Sequence, residues 1–221
     1  MTAGPRATPH RFDPTILRAY DVRGVVGDTL AAADARALGR ALGTLAARRG
    51  LEGSVALGFD GRLSSPELAD AAAAGLAEAG RDVVEIGLGP TPMLYYAAAA
   101  LDGVVGGMQI TGSHNPPDYN GFKITLAGAP FYGDDIQELG RIAETGAWAA
   151  GDGARRRQDV NADYVARLLA DAPKAADFKV VWDCGNGAAG AVIDALIAGL
   201  PGEHHVLFGD VDGRFPNHHP D

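Results

Sequence analysis

Short apolar runs of strand length alternate along this chain with longer segments whose apolar residues recur at helical spacing, and few architectures satisfy that alternation. Residues 32–49 read as a helix, with Ala35, Leu38, Leu42 and Leu45 on one face and Gly50 as the stop. Residues 54–59 read as a short buried strand. Ser65-Pro66-Glu67 starts a second helix, with serine as cap and proline in the first turn, ending near Gly80. Residues 82–86 and 104–110 read as strands separated by a helix over residues 91–100. Residues 122–125 continue as a strand, and a helix over residues 134–144 closes the unit. The pattern predicts an α/β layer with helices on both faces.

A glycine-containing stretch, residues 146–158, follows and includes Arg155-Arg156-Arg157. It reads as a linker between domains, its arginines as a solvated loop. Beyond it come a helix over residues 162–170, a strand over 178–183, a helix over 188–198 and a strand over 205–208. These elements are too few for an independent domain. The expected organisation is an N-terminal disordered arm (1–11), a first domain (12–150), a linker (151–160) and a second α/β domain interrupted mid-fold (161–221).

Several function classes are disfavoured. A length of 221 residues allows one or two domains with a real core. The net charge of −9 argues against nucleic acid, whose phosphates are neutralised by Lys and Arg. An anionic ligand must therefore meet cations gathered locally. The single cysteine, Cys184, excludes an internal disulfide and fits a reducing compartment. Residues 1–14 carry no apolar stretch resembling a signal peptide, and no run approaches the ~20 apolar residues that span a bilayer. A soluble, cytoplasmic protein with no membrane partner is expected.

Chemistry concentrates in residues 111–123. Ser113 lies between Gly112 and His114, just after the strand of residues 104–110, and Asn115-Pro116-Pro117 forbids regular structure beyond it. The hydroxyl thus stands on a stiffened loop at a strand end, where α/β proteins place their ligands. The hydrolase elbow Gly-x-Ser-x-Gly is not met, because Asn115 occupies the second glycine position. His114 is a poor base for its own neighbour. A phosphoserine fits better, since its −1.5 to −2 charge (about) and three acceptor oxygens call for cationic donors, and Lys123 follows the Asn120-Gly121 turn. The plain alternative is that Ser113 only begins a proline-rich turn.

Other signals compete. Gly185-Asn186-Gly187-Ala188-Ala189-Gly190 matches the dinucleotide fingerprint between a predicted strand and helix, with Asp210 further on. No second mononucleotide half follows, and that reading leaves the serine loop unexplained. Cys184 reads as a small buried side chain. The pairs His204-His205 and His218-His219 lack the spacing of a metal site, since adjacent strand residues face opposite ways. Asp60 and Arg62 read as an ion pair bracing a loop.

Gly112-Ser113-His114-Asn115-Pro116 followed by Asp118-Tyr119-Asn120-Gly121-Phe122-Lys123 resembles the active-serine loop of the phosphohexomutases, most of all the bacterial phosphomannomutase/phosphoglucomutase branch. Supporting stretches stand in the same order: Arg18 to Gly24, Gly58-Phe59-Asp60-Gly61-Arg62, Pro90-Thr91-Pro92, Asp183-Cys184-Gly185-Asn186-Gly187, and Asp212 to Pro220. The likeness runs from about Phe12 to the chain end. Phe59 departs from the arginine often found there. Phosphoglucosamine mutase resembles the chain less around Tyr20 and Ser113.

The resemblance implies a three-layer α/β/α first domain with a mixed, mostly parallel sheet, followed by an incomplete second α/β domain. It implies interconversion of hexose 1-phosphates and hexose 6-phosphates through a phosphoserine at Ser113 and a hexose 1,6-bisphosphate. Arg23, His114 and Lys123 take catalytic roles, Tyr20, Arg23 and Lys123 contact substrate, and phosphorylated Ser113 is one ligand of Mg2+. Glucose 1,6-bisphosphate is the implied activator. The family's Asp-Gly-Asp-Gly-Asp-Arg magnesium loop is absent, and Asp210-Val211-Asp212-Gly213 only mimics it. The sugar- and phosphate-binding C-terminal domains are expected partners of this stretch, and residues 1–221 alone are expected to be inactive.

Overall fold

The computed structural model describes residues 8–220. Among them the elements run β1 (Val22–Val25), α1 (Ala32–Arg48), β2 (Ser54–Phe59), α2 (Ser65–Glu78), β3 (Val83–Leu88), α3 (Thr91–Ala100), β4 (Val104–Ile110), β5 (Tyr119–Leu126), β6 (Ala129–Pro130), α4 (Asp134–Thr145), β7 (Arg155–Arg157), α5 (Asn161–Ala170), β8 (Lys179–Asp183), α6 (Ile193–Ile197) and β9 (Glu203–Leu207). The first sheet has the order β1-β5-β4-β2-β3-β7, with β6 on β5. Helical crossovers make β4, β2, β3 and β7 parallel. The short link between β4 and β5 instead makes that pair antiparallel, as are β5 with β1 and with β6. That short link is the serine loop.

Side chains alternate between two cores. Val55 and Leu57 of β2 join the cluster under α1, α2 and α4, whereas Ala56 joins the cluster under α3 and α5. Burial on both faces explains why the central strands read as apolar runs. α1 crosses α2 in backbone contact: a Cβ on Gly39 would lie 2.1 Å from the Ala72 carbonyl oxygen, and one on Gly75 would lie 2.0 Å from that of Arg36. This is the expected three-layer, mixed-sheet arrangement.

The second unit leans on the first. Tyr164 of α5 sits 5.8 Å from Tyr96 of α3, ring centroid to centroid. Val160, Tyr164, Val165 and Val192 share a core cluster with Met93, Leu94 and Ala97. β8 and β9 form a separate parallel pair, Lys179 opposite Glu203 and Asp183 opposite Leu207.

Several expectations need amendment. The arginine run is an edge strand and not a loop. Val83 N–H donates to the Ala154 carbonyl, Arg155 to Arg157 pair with Val83 to Glu85, and Arg155 also bridges Glu85 (2.8 Å) and Asp70 (2.7 Å). Backbone pairing recruits it without any apolar signal. β1 went unpredicted for the same reason. The helix expected over 188–198 is split into a 3₁₀ turn, Ala188–Ala191, and α6, because the chain breaks at Val192 with φ −128°. Ser65 does not cap α2; its hydroxyl donates to Asp60 Oδ1 instead (2.6 Å). Residues 1–7 of the expected arm lie outside the described residues. His10, further along it, donates its N–H to Ala143 and meets Asp34 at 2.8 Å. Among the described residues no helix is long and apolar enough to cross a membrane.

Candidate active site

The serine loop owes its shape to hydrogen bonds from two sides. β4 ends at Ile110, and Thr111 N–H donates to the Gly121 carbonyl, closing the loop onto β5. Inside it, Ser113 N–H donates to Thr111 Oγ1 (2.9 Å), while Asn115 reaches the Gly112 carbonyl with both backbone N–H (3.0 Å) and Nδ2 (2.9 Å). These bonds leave Ser113 in the left-handed region at φ +54°, exposed, with no hydrogen bond recorded for its hydroxyl among the described residues. A non-glycine residue there costs of order 1 kcal/mol or more, and such strain collects at functional positions.

Beneath the loop lies Arg62, 1% exposed. Its guanidinium donates to four loop carbonyls: Nη2 to Ser113 (3.0 Å) and Asn115 (2.7 Å), Nη1 to Tyr119 (3.1 Å) and Pro116. Its Nε donates to Asp60 Oδ2 (3.2 Å), which also accepts from Gly112 N–H (3.1 Å). Burial pulls the Arg62 pKa below the ordinary arginine range, opposed by the Asp60 charge. Gly112 is obligatory here, since a Cβ would fall 2.3 Å from Arg62 Cζ. The ion pair expected to brace a loop therefore braces the serine loop itself.

The antiparallel register of β1 on β5 gathers the other cations. Arg23 stands opposite Gly121 and Val22 opposite Phe122, which places Asp21 beside Lys123. Asp21 holds both: Arg23 Nη2 bonds its Oδ2, and Lys123 Nζ lies 3.8 Å from the same oxygen. Arg23 is also close enough to Arg62 to act on its charge. Two cations thus share one carboxylate in a chain that is negative overall, and Asp21, which sequence reasoning did not single out, is the anion that holds them together. Tyr20 is 81% exposed beside them. His114, next to Ser113, is also exposed.

Two cavities divide these residues. Ser113 lines a cleft of about 340 Å³ shared with Asp60 and Thr91 of the first unit and with Asp183, Cys184, Phe215 and His218 of the second. Tyr20 and Lys123 line a larger groove of about 870 Å³ with Tyr95 and Tyr132. The second-unit contribution to the Ser113 cleft was not foreseen. His218 Nε2 lies 3.0 Å from Asp183 Oδ1, and its Nδ1 lies 2.7 Å from the His219 carbonyl. Those acceptors, the carbonyl first, raise the His218 pKa above 6.5.

Remaining candidates resolve into structure. Cys184 is half-buried on the cleft wall, less enclosed than expected, and burial, then Asp183 and Asp194, push its thiol up, away from the reactive thiolate. Asn186 of the Gly-x-Gly turn spends its side chain on the Asp210 carbonyl (2.9 Å) and on Asn217 (2.7 Å). Gly190 is needed because a Cβ would strike the Gly209 oxygen at 1.9 Å. Both features give the glycine motif a packing role. Among the described residues no group of three or more His, Cys, Asp or Glu side chains can hold a metal ion. Asp60 and Asp183 face the Ser113 cleft but are committed to Arg62 and His218.

Residues 14–150 match the family described as phosphoglucomutase/phosphomannomutase, alpha/beta/alpha domain I. The chain is 48% identical over 207 residues to the phosphomannomutase/phosphoglucomutase of Pseudomonas aeruginosa, covering 94% of this chain and 44% of that relative. It is 45% identical to the phosphoglucomutase of Neisseria meningitidis serogroup A, over 93% of this chain and 45% of that protein. A phosphoglucomutase/phosphomannomutase family protein from Burkholderia thailandensis superposes with a TM-score of 0.90 at 46% identity, over 95% of this chain and 47% of the other. The chain thus spans less than half the length of these relatives.

Proposed function

The chain belongs to the phosphoglucomutase/phosphomannomutase family, and on that premise we propose that it carries the phosphoryl-bearing serine of a mutase interconverting hexose 1-phosphates and hexose 6-phosphates. One observation carries the reading: an exposed hydroxyl, without a hydrogen bond among the described residues, held at φ +54° on a loop clamped from below, with Arg23 and Lys123 gathered on the adjoining strands.

In this reading a hydroxyl oxygen of the hexose phosphate attacks the phosphorus on Ser113. The Oγ–P bond breaks, the new O–P bond forms, and the hydroxyl proton passes to the freed serine oxygen. The resulting 1,6-bisphosphate turns over and returns its other phosphoryl group to Ser113, so atoms and charge balance across the cycle. Such transfers need positioning and charge neutralisation more than covalent help. Arg23 and Lys123 donate to the phosphoryl oxygens, exchanging their hold on Asp21 for the substrate. His114 and Lys123 serve the proton exchange, and Tyr20 contacts the sugar phosphate. Magnesium is implied by the resemblance. Phosphorylated Ser113 would be one of its ligands, and the ion would neutralise charge on the transferring phosphoryl group. We place the reaction in the cytoplasm.

The test is direct. Peptide mapping after incubation with glucose 1,6-bisphosphate should find phosphate on Ser113, and Ser113→Ala should abolish mutase activity of the intact gene product. Residues 1–221 alone should show no turnover. An equally active Ser113→Ala protein overturns the proposal.

A further inference from the structure

Arg62 shapes the serine loop, and the second unit in turn holds Arg62. The Phe215 ring covers the guanidinium, with Arg62 Cζ 5.2 Å from the ring centroid. A planar guanidinium donates only along its edges and stacks through its face. With a ring over the face, all edge N–H groups remain directed at Asp60 and the four loop carbonyls. The segment bearing Phe215 is pressed on the 60–63 turn. A Cβ on Gly61 would lie 2.2 Å from Val211 Cγ1, and one on Gly213 would lie 2.5 Å from the Gly61 oxygen and 2.7 Å from Arg62 Cα. That segment is fixed from its other side by Asn186, 4% exposed, through the Asp210 carbonyl, Asn217 and the Asp212 N–H (3.0 Å to the Asn186 carbonyl).

We infer that residues 210–217 form a positioning clamp for Ser113. Asn186 sets the segment, Phe215 sets the plane of Arg62, and Arg62 sets the carbonyls that shape the loop. Phe215 and Arg62 are positioning residues. The consequence for catalysis rests on the phosphoryl-bearing role proposed for Ser113; the mechanical link does not. The clamp also accounts for a motif that matched a nucleotide fingerprint: the glycines let the backbone turn pack closely enough for Asn186 to grip the segment.

Amide exchange on the 221-residue chain tests the link. Phe215→Ala should speed exchange of the Gly112, Ser113, Asn115 and Tyr119 amides on the order of ten-fold, leaving β2 and α1 unchanged. Phe215→Tyr, which keeps a ring over the guanidinium, should restore protection. Phe215→Leu, which fills space without a ring, should not. In the intact gene product, Phe215→Ala should lower kcat roughly ten-fold and leave KM for the hexose phosphate unchanged, because the serine is displaced and not the sugar. Wild-type exchange of the loop in Phe215→Ala overturns the clamp. If Phe215→Ala opens the whole chain, Phe215→Leu decides by the same criterion. A failed Ser113→Ala activity test would remove the catalytic reading and leave the exchange result standing.

Discussion

Ser113 and Asn186 occupy matching places: each sits in a turn at the end of a strand, with φ near +55° (54° and 57°) in a residue other than glycine. Ser113 is exposed and its hydroxyl makes no hydrogen bond among the described residues, whereas Asn186 is 4% exposed and both ends of its amide are bonded. The same backbone strain therefore serves opposite ends. At Asn186 it is offset locally by side-chain bonds, so the turn is explained by architecture. At Ser113 the side chain offsets nothing, and the cost is borne by the backbone bonds of the loop to Thr111 and Gly112 and by Arg62 from below. Strain that its own side chain does not repay is the stronger pointer to chemistry.

The sharpest way to break this contrast is by activity. Ser113→Ala in the intact gene product should reduce mutase turnover by about 10⁴-fold or more, the scale of losing a nucleophile. Steady-state kinetics with a hexose 1-phosphate read it, and a loss below about ten-fold would put Ser113 in the same structural class as Asn186. Next in size is Arg62→Met, which deprives four carbonyls and Asp60 of their donor. Breaking a buried pair costs about 3–5 kcal/mol, lowering the melting temperature by roughly 10 °C. A calorimetric shift under about 2 °C would show that the loop stands without its brace.

Much of the fold was legible because burial writes itself into the sequence. β2, β4 and α3 begin and end where periodicity and punctuation put them. β1 and β7 were not legible, because Val-Arg-Gly-Val and three arginines become strands only through partners, β5 and β3, brought by the fold. The site divides the same way. Ser113 was visible because Asn115-Pro116-Pro117 restricts the backbone around it. The clamp was invisible: its acceptors are backbone carbonyls, which have no letter in the sequence, and Phe215 reaches Arg62 across 153 positions from residue 62 to residue 215.

A matched pair of glycine substitutions sharpens the contrast at lower energy. Ser113→Gly removes a left-handed penalty and no side-chain bond, so stability should hold or rise by up to ~1 kcal/mol. Asn186→Gly removes the same penalty but strips the bonds to Asp210 and Asn217, so stability should fall by about 1–2 kcal/mol. Urea denaturation of both variants measures the difference. Equal signs would mean that the two turns are held alike.

The smallest effect lies where the two units face one another across the Ser113 cleft. His218 donates to the His219 carbonyl and to Asp183, so its folded pKa lies above 6.5, while Asp183 lies below 3.8 because of His218 and the Gly185 N–H. The raised histidine contributes stability that is whole below pH 6.5 and fades as pH climbs through the folded value. The lowered aspartate contributes above pH 3.8 and fades as pH falls through its own. Between those two values the pair is fully charged and the second-unit wall of the cleft is firmest. Asp183→Asn should move the His218 midpoint, followed by NMR, back toward 6.5 without reaching it, since the His219 carbonyl is the larger cause. Both groups are solvent-accessible, so added salt should shrink the shift in the native protein. A midpoint indifferent to Asp183→Asn would mean that the pair is not formed in solution, and that the second-unit wall of the cleft stands without it.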